Sequence, residues 1–455
     1  MRSLLLKAGR VIDPACGIDA ASDLLVRDGE IEAVERAGTL PGGDGVAVVN
    51  ASGWWVLPGL IDPHVHLRDP GFPEKETIAS GLRAAAAGGF ATVAAMANTS
   101  PVNDTPEITR YMLERALQAR SARLIPVSAV TRGLRGAEPV DYAVMAEAGA
   151  RLFSDDGIPV DDPAVLSHAM DEINRLGYAI SLHEEDRRLS DEGAVNAGGV
   201  AERLGVGGYP GRAESDRVRR DLALAIGTEA AVHVAHVSTR ESLELVAAAR
   251  KRGARVTCEV TPHHFALDES AALRWGPNAK MNPPLRSRGD ADALRHAIAH
   301  GPIDMIATDH APHDPASKRL DALAGYFDPA RDAARLPSDV AGIFTQSANG
   351  VVGLETALGL ALGLVHRGLI GAARLVELMS LNPAALLRLE AGTLAVGARA
   401  DITVVDPDLE WTVEPERFLS RSRNTPFAGM RLKGRAVLTI VAGEIVFDGR
   451  RSELR

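Results

Sequence analysis

The sequence predicts an α/β fold: a (β/α)8, TIM-like barrel with a small β domain formed by both chain termini. Three observations carry this reading. Eight apolar runs alternate with helical stretches through the middle of the chain. Strand-like segments with polar–apolar alternation occupy both ends. The 455 residues, 46% of them hydrophobic, suffice for one barrel of about 250 residues plus a smaller unit.

The first segments, LLLKAGRVIDP, DLLVRDGEIEAVE and GVAVVNASGWWVLPG, alternate between Gly, Asp and Pro punctuation, which is a strand signature. The eight central runs are GLIDPHVHL, GFATVAAMANT, RLIPVSAVT, ARLFSDDG, YAISLHEED, AVHVAHVST, RVTCEVTPHH and IDMIATDHAPH. Helical stretches such as ETIASGLRAAAAGG, PEITRYMLERALQAR and TRESLELVAAARKRG separate them. Runs buried on both faces and spaced by helices mark a parallel sheet. GTLAVGARADITVVDPD and RLKGRAVLTIVAGEIVFDGR then return to the strand pattern. The expected organisation is a composite β domain from residues 1–56 and 391–455, with the barrel at 57–390. The segment 314–350 is long, charged and weakly periodic. It follows the eighth run at the catalytic face, so it is read as an active-site lid rather than a plain surface loop.

Composition excludes several classes. A formal charge of -10 argues against a non-specific nucleic-acid binder. No charge-free apolar stretch approaches the roughly 18 residues of a membrane span, and MRSLLLKAGR lacks the form of a secretory signal. Two cysteines, Cys16 and Cys258, cannot build a disulfide framework, so a cytoplasmic protein is expected.

Of the 13 histidines, nine fall at or just after expected strand C-termini, which converge on one site in such a barrel. His64 and His66 sit two apart on one strand and share a face. His183 ends the fifth run, His236 the sixth and Asp309 the eighth, while Asp155 and Asp156 end the fourth. This nitrogen–oxygen set suits zinc, with manganese or cobalt as alternatives. A bridging carboxylate such as Asp156 would allow two ions. A metal there activates water for amide or ester hydrolysis, with Asp309 placed to pass the proton to the leaving nitrogen. Arg68 follows the histidine pair at the barrel mouth, where a guanidinium grips a carboxylate, and the Asn98 amide can support the same anion. His233 is expected to face away from the site, His310 to point into packing, and His263 and His264 to lie behind the ligands.

PGLIDPHVHLRDPG resembles the signature of dihydroorotases, within the metal-dependent amidohydrolase superfamily. GGFATVAAMANTSP, GARLFSDDG, LHEED, VAHVST, CEVTPHH, KMNPPLR, ATDHAPH, GLETA and NTPFAGM are similar to successive blocks of that family, in order. The resemblance implies reversible cyclisation of N-carbamoyl-L-aspartate to L-dihydroorotate in pyrimidine synthesis, with one or two zinc ions. It implies His64 and His66 as ligands of a first metal, Asp156 as the bridge, and His183 and His236 as ligands of a second. Asp309 is implied as both ligand and general acid/base. His66, Arg68, Asn98, Asn282 and His313 are implied as substrate contacts.

Relatives that act on hydantoin or allantoin carry a bridging Lys on strand four, where this chain has ARLFSDDG. Asn349-Gly350 stands where the family has an aromatic-Gly pair that offers backbone amides to the substrate, and Ala97 replaces a usual Pro. An inactive subunit that only scaffolds aspartate transcarbamoylase would have lost metal ligands, and all six are present. A homo-oligomer is expected, and docking of an active enzyme on the transcarbamoylase stays open.

Overall fold

The computed structural model describes residues 3–43, 45–191 and 193–450. Its N-terminal strands are β1 (Ser3–Asp13), β2 (Ile18–Arg27), β3 (Glu30–Arg36), β4 (Val46–Asn50) and β5 (Trp55–Pro58). The barrel follows with β6 (Leu60–Val65), β7 (Phe90–Ala95), β8 (Arg123–Ser128), β9 (Leu152–Phe153) and β10 (Ile180–Leu182). Two short strands, β11 (Val195–Asn196) and β12 (Gly208–Tyr209), pair outside it. β13 (Val232–Val234), β14 (Val256–Val260) and β15 (Met305–Ile306) complete the barrel, and β16 (Ile402–Thr412), β17 (Arg431–Val441) and β18 (Glu444–Asp448) end the chain.

Each of the eight expected runs contains one barrel strand. Neighbours pair in chain order, all parallel, from β6 to β15. The ring closes where Val65 bridges His310 and the His66 N–H donates to the His310 carbonyl at 2.8 Å. Each strand leads to an outer helix. Thr77 and Ser80 form a reciprocal capping box on Ile78–Ala87, and Asp162 caps Pro163–Arg175, which has Pro at its first position. Strand residues alternate between layers. On β7, Val93 and Ala95 join the core shared with the helices. Ala94 packs with Ile61, Ile125, Val127 and Leu152 in a separate cluster.

Both termini build the second sheet, in the order β18-β17-β16-β5-β1-β2-β3 with β4 beside β1. Antiparallel pairing of β16 with β5 joins the two ends of the chain. Gly59 is the single residue between β5 and β6, and a Cβ there would lie 2.6 Å from the Ala91 Cβ. The sheet and the barrel are therefore tightly abutted at this turn.

The segment 314–350 is more ordered than weak periodicity suggested. It contains the helix Ser338–Gln346. Leu323, Leu336 and Phe344 pack with Val200, Leu204 and Leu273 in a core separate from the barrel. Two buried lysines tie it down. Lys280 Nζ donates to the Thr345 and Ser347 carbonyls at 2.7 and 2.5 Å, at the C-terminal end of that helix, where a cation complements the dipole. Lys318 Nζ donates to the Lys280 and Ala348 carbonyls at 3.0 and 2.9 Å.

Candidate active site and metal centre

Strand ends bring the predicted residues together. His66, Arg68, Asn98, Asp156, His183, His236, Asn282, Asp309, His313, Asn349 and Gly350 all line one cleft of about 600 Å³, with Gly157 and Ala311. His64 is fully buried beside these residues. Three of the site residues hold left-handed backbone despite carrying side chains: Arg68 (φ 60°), His236 (φ 32°) and Asp309 (φ 46°). Such conformations are unfavourable for non-glycine residues and persist where the surroundings enforce them.

Asp156 is the hub. Its Oδ1 lies 3.4 Å from His64 Nε2, 3.3 Å from His183 Nδ1 and 3.5 Å from His236 Nε2, and its Oδ2 lies 3.5 Å from His66 Nε2. The neighbouring Asp155 turns away. Its carboxylate accepts the Val130 and Thr131 N–H groups at 2.7 and 3.1 Å and the Thr131 hydroxyl. Asp309 Oδ1 lies 3.0 Å from His66 Nε2 and 3.7 Å from His64 Nε2.

These donors fit a cation. Two trios, His64–His66–Asp156 and Asp156–His183–His236, each hold their ligand atoms within 4.8 Å of one another. His64 Nε2 and Asp156 Oδ1 are buried without a hydrogen-bond partner, and such orphaned atoms call for an ion or a proton between them. The local field agrees. Burial opposes charge on His64, but flanking Asp156 and Glu259 overcome it and hold the ring well above the usual histidine range. Burial would raise the Asp309 carboxyl, yet the His66 hydrogen bond and the His64 charge bring it down to about 2.

Two carboxylates fix the imidazoles, and the sequence reading missed both. Glu259 Oε1 accepts from His64 Nδ1 at 2.7 Å, and its Oε2 lies 3.1 Å from His233 Nε2. Glu185 accepts from His183 Nε2 at 3.1 Å and from Asn282 Nδ2 at 3.0 Å. An ionised carboxylate only accepts, so each sets one nitrogen as N–H and frees the other for a metal. The signal for Glu259 was an acid inside an apolar run, where charge is rarely buried without a partner.

His233 corrects an expectation. Strand spacing places it facing away, but its buried ring lies against Glu259, which also holds His64. His310 does point into packing, with Nδ1 accepting the Gly353 N–H at 3.1 Å and Nε2 3.5 Å from Glu76. His264 bonds Thr261 and the Pro283 carbonyl.

The mouth carries the groups suited to hold an anion. Arg68 donates to the Pro312 carbonyl and meets His313 Nε2, both at 3.3 Å. Burial lowers the guanidinium to about 10, which leaves it charged at neutral pH. Burial and the Arg68 charge push His313 down to about 2, so its ring is neutral. His313 Nε2 lies 2.8 Å from the Asn349 carbonyl. Asn98 Oδ1 is 2.9 Å from His66 Nδ1. The Gly350 N–H, expected to face substrate, instead donates to the Lys280 carbonyl at 2.9 Å.

Comparison with known proteins agrees with this geometry. Residues 53–242 match the dihydro-orotase-like family model and residues 368–447 an amidohydrolase family model. A dihydroorotase of Syntrophotalea carbinolica is 45% identical over 98% of this chain and 99% of its own length. One from Citrifermentans bemidjiense is 44% identical over 98% and 100%. Among solved structures, an L-hydantoinase (dihydropyrimidinase) from Arthrobacter aurescens superposes with a TM-score of 0.84 at 26% identity, covering 99% of this chain and 97% of that one. The chain belongs to the dihydroorotase family of cyclic-amide hydrolases, within the amidohydrolases.

Proposed function

We propose that the chain interconverts N-carbamoyl-L-aspartate and L-dihydroorotate. The observation that carries this reading is the Asp156 carboxylate between four imidazoles, with Arg68 at the mouth of the same cleft. Zinc is the proposed ion, held by His64, His66, Asp156, His183, His236 and Asp309, one or two per chain. A bound zinc ion supplies a Lewis acid and an activated water.

The chain's residues do the rest. The Arg68 fork binds the ring carboxylate bidentately, supported by Asn98, Asn282 and neutral His313. Asp309 carries the proton. Its low pKa keeps it an acceptor in the ring-opening direction, and the proton passes to the departing ring nitrogen. In the closing direction the same carboxylate takes the proton from the attacking carbamoyl nitrogen and gives it to the departing hydroxide, which leaves as water. The cytoplasm is the proposed compartment, consistent with two free cysteines. Among the described residues no helix is long and apolar enough to cross a membrane.

The hydantoinase likeness favours a second reading, hydrolysis of a neutral cyclic ureide. Zinc-loaded protein is expected to turn over dihydroorotate, followed by loss of ultraviolet absorbance. No turnover sinks the proposal, and turnover of hydantoin or allantoin instead promotes the alternative. Asp309→Asn is expected to keep the fold and lose nearly all activity in both directions.

A further inference from the structure

The segment 419–425 lies between β16 and β17, far from the barrel strands in sequence. The NTPFAGM block begins in it. In space the segment straps the barrel mouth. The Leu419 and Ser420 N–H groups donate to Glu355 at 2.8 and 3.1 Å. The Ser420 hydroxyl donates to Glu76 at 2.5 Å and the Ser422 hydroxyl to the Lys75 carbonyl at 2.7 Å. Lys75 and Glu76 end the loop that carries Arg68.

Asn424 makes the densest contact. It is 3% exposed. Its Nδ2 donates to the Ala311 and Gly350 carbonyls, both at 3.0 Å. Its Oδ1 accepts the His313 N–H at 3.1 Å, and its own carbonyl accepts the Val352 N–H at 2.9 Å. Both amide donors and the acceptor are therefore spent on the main chain of two loops. One loop carries His313 and the other Asn349 and Gly350. The loops are close, because a Cβ on Gly350 (φ +125°) would lie 2.5 Å from the Ala311 Cβ. His313 Nε2 meets both the Arg68 guanidinium and the Asn349 carbonyl.

We propose that Asn424 is a positioning residue for the substrate carboxylate. It sets the spacing of the His313 and Asn349 loops and so the placement of Arg68 and His313 around the anion. Only an amide of this length both donates twice and accepts once here. The inference rests on the dihydroorotase reading through its carboxylate grip. It acts on substrate binding and leaves the metal set alone.

The test is steady-state kinetics of the zinc-loaded enzyme with dihydroorotate, with metal content and unfolding temperature measured in parallel. Asn424→Ala is expected to raise KM about tenfold or more, since a misplacement of about 1 Å can be worth a hundredfold, with kcat within about threefold. Bound metal stays unchanged. Asn424→Asp keeps the acceptor for the His313 N–H but sets a carboxylate oxygen against the Ala311 and Gly350 carbonyls, so a rise at least as large is expected. It also carries the test if the alanine variant does not fold. Ser121→Ala is the control. It removes a buried hydrogen bond to the Leu82 carbonyl (3.0 Å) just before β8, at the opposite end of the barrel, and is expected to lower the unfolding temperature without moving KM. A wild-type KM in both Asn424 variants overturns the inference, as does an equal KM shift in Ser121→Ala. A wild type inert toward dihydroorotate overturns the functional reading and this inference together. An active wild type with an unmoved variant KM overturns this inference alone.

Discussion

His64 Nδ1 and Glu259 Oε1 are 2.7 Å apart, and neither residue is more than 1% exposed. Glu259 decides which His64 nitrogen remains free. Removing such an orienting carboxylate typically weakens metal affinity about 10–100-fold. Glu259→Ala is expected to fall in that range, and Glu259→Gln, which still accepts a hydrogen bond, to lose less. Competition for zinc against a chromophoric chelator reads the effect. Unchanged affinity in the alanine variant would show that His64 needs no such partner.

The adjacent aspartates part company in the same way. Asp156→Asn removes the carboxylate both ligand trios share, and its loss of metal affinity should exceed the roughly 100-fold ceiling of an orienting partner. Asp155→Asn leaves the ligands untouched and retains wild-type metal content. Metal analysis after gel filtration separates them, and equal losses would contradict the assignment of Asp156 as the hub.

Metal removal should also lower thermal stability. An ion that binds only the folded state at 100 times its Kd stabilises by about 2.7 kcal/mol. Zinc re-addition after a chelator is therefore expected to raise the unfolding temperature by several degrees. An unfolding temperature indifferent to chelator and zinc would mean that the cluster holds no ion.

Lys318 gives a pH signature away from the metal cluster. Burial, then the neighbouring Lys280 charge, push its ammonium well below the usual lysine range, and burial brings Lys280 down to about 8. Between the folded pKa and the ordinary lysine value near 10.5, the unfolded chain binds more protons than the folded one. Stability from this group therefore rises with pH in that window. Wild type should gain on Lys318→Met in unfolding temperature between pH 7 and pH 10. A constant difference across that span would mean that Lys318 titrates normally.

Much of this was legible in the sequence. The eight runs stood out because strands covered on both faces lose their polar alternation. The His64–His66 pair was visible because two residues apart on a strand means one face. His233 failed the same rule, because the left-handed φ of 32° at His236 breaks strand alternation after Val234. Glu259 was visible as an odd charge, but its partner His64 lies on β6, which does not neighbour β14 in the barrel order. Asn424 and His313 are 111 positions apart, and no local pattern reports a contact over such a span.

The left-handed backbone at Arg68, His236 and Asp309 bears on how this enzyme evolves. Each conformation is worth about 1–3 kcal/mol of strain that glycine would relieve. A library selected only for heat resistance would accumulate glycine at those three positions and lose the side chains that the site requires. Selection for durability and selection for turnover thus pull against each other at these residues. Lasting gains in robustness should instead come from the terminal sheet and the outer helices.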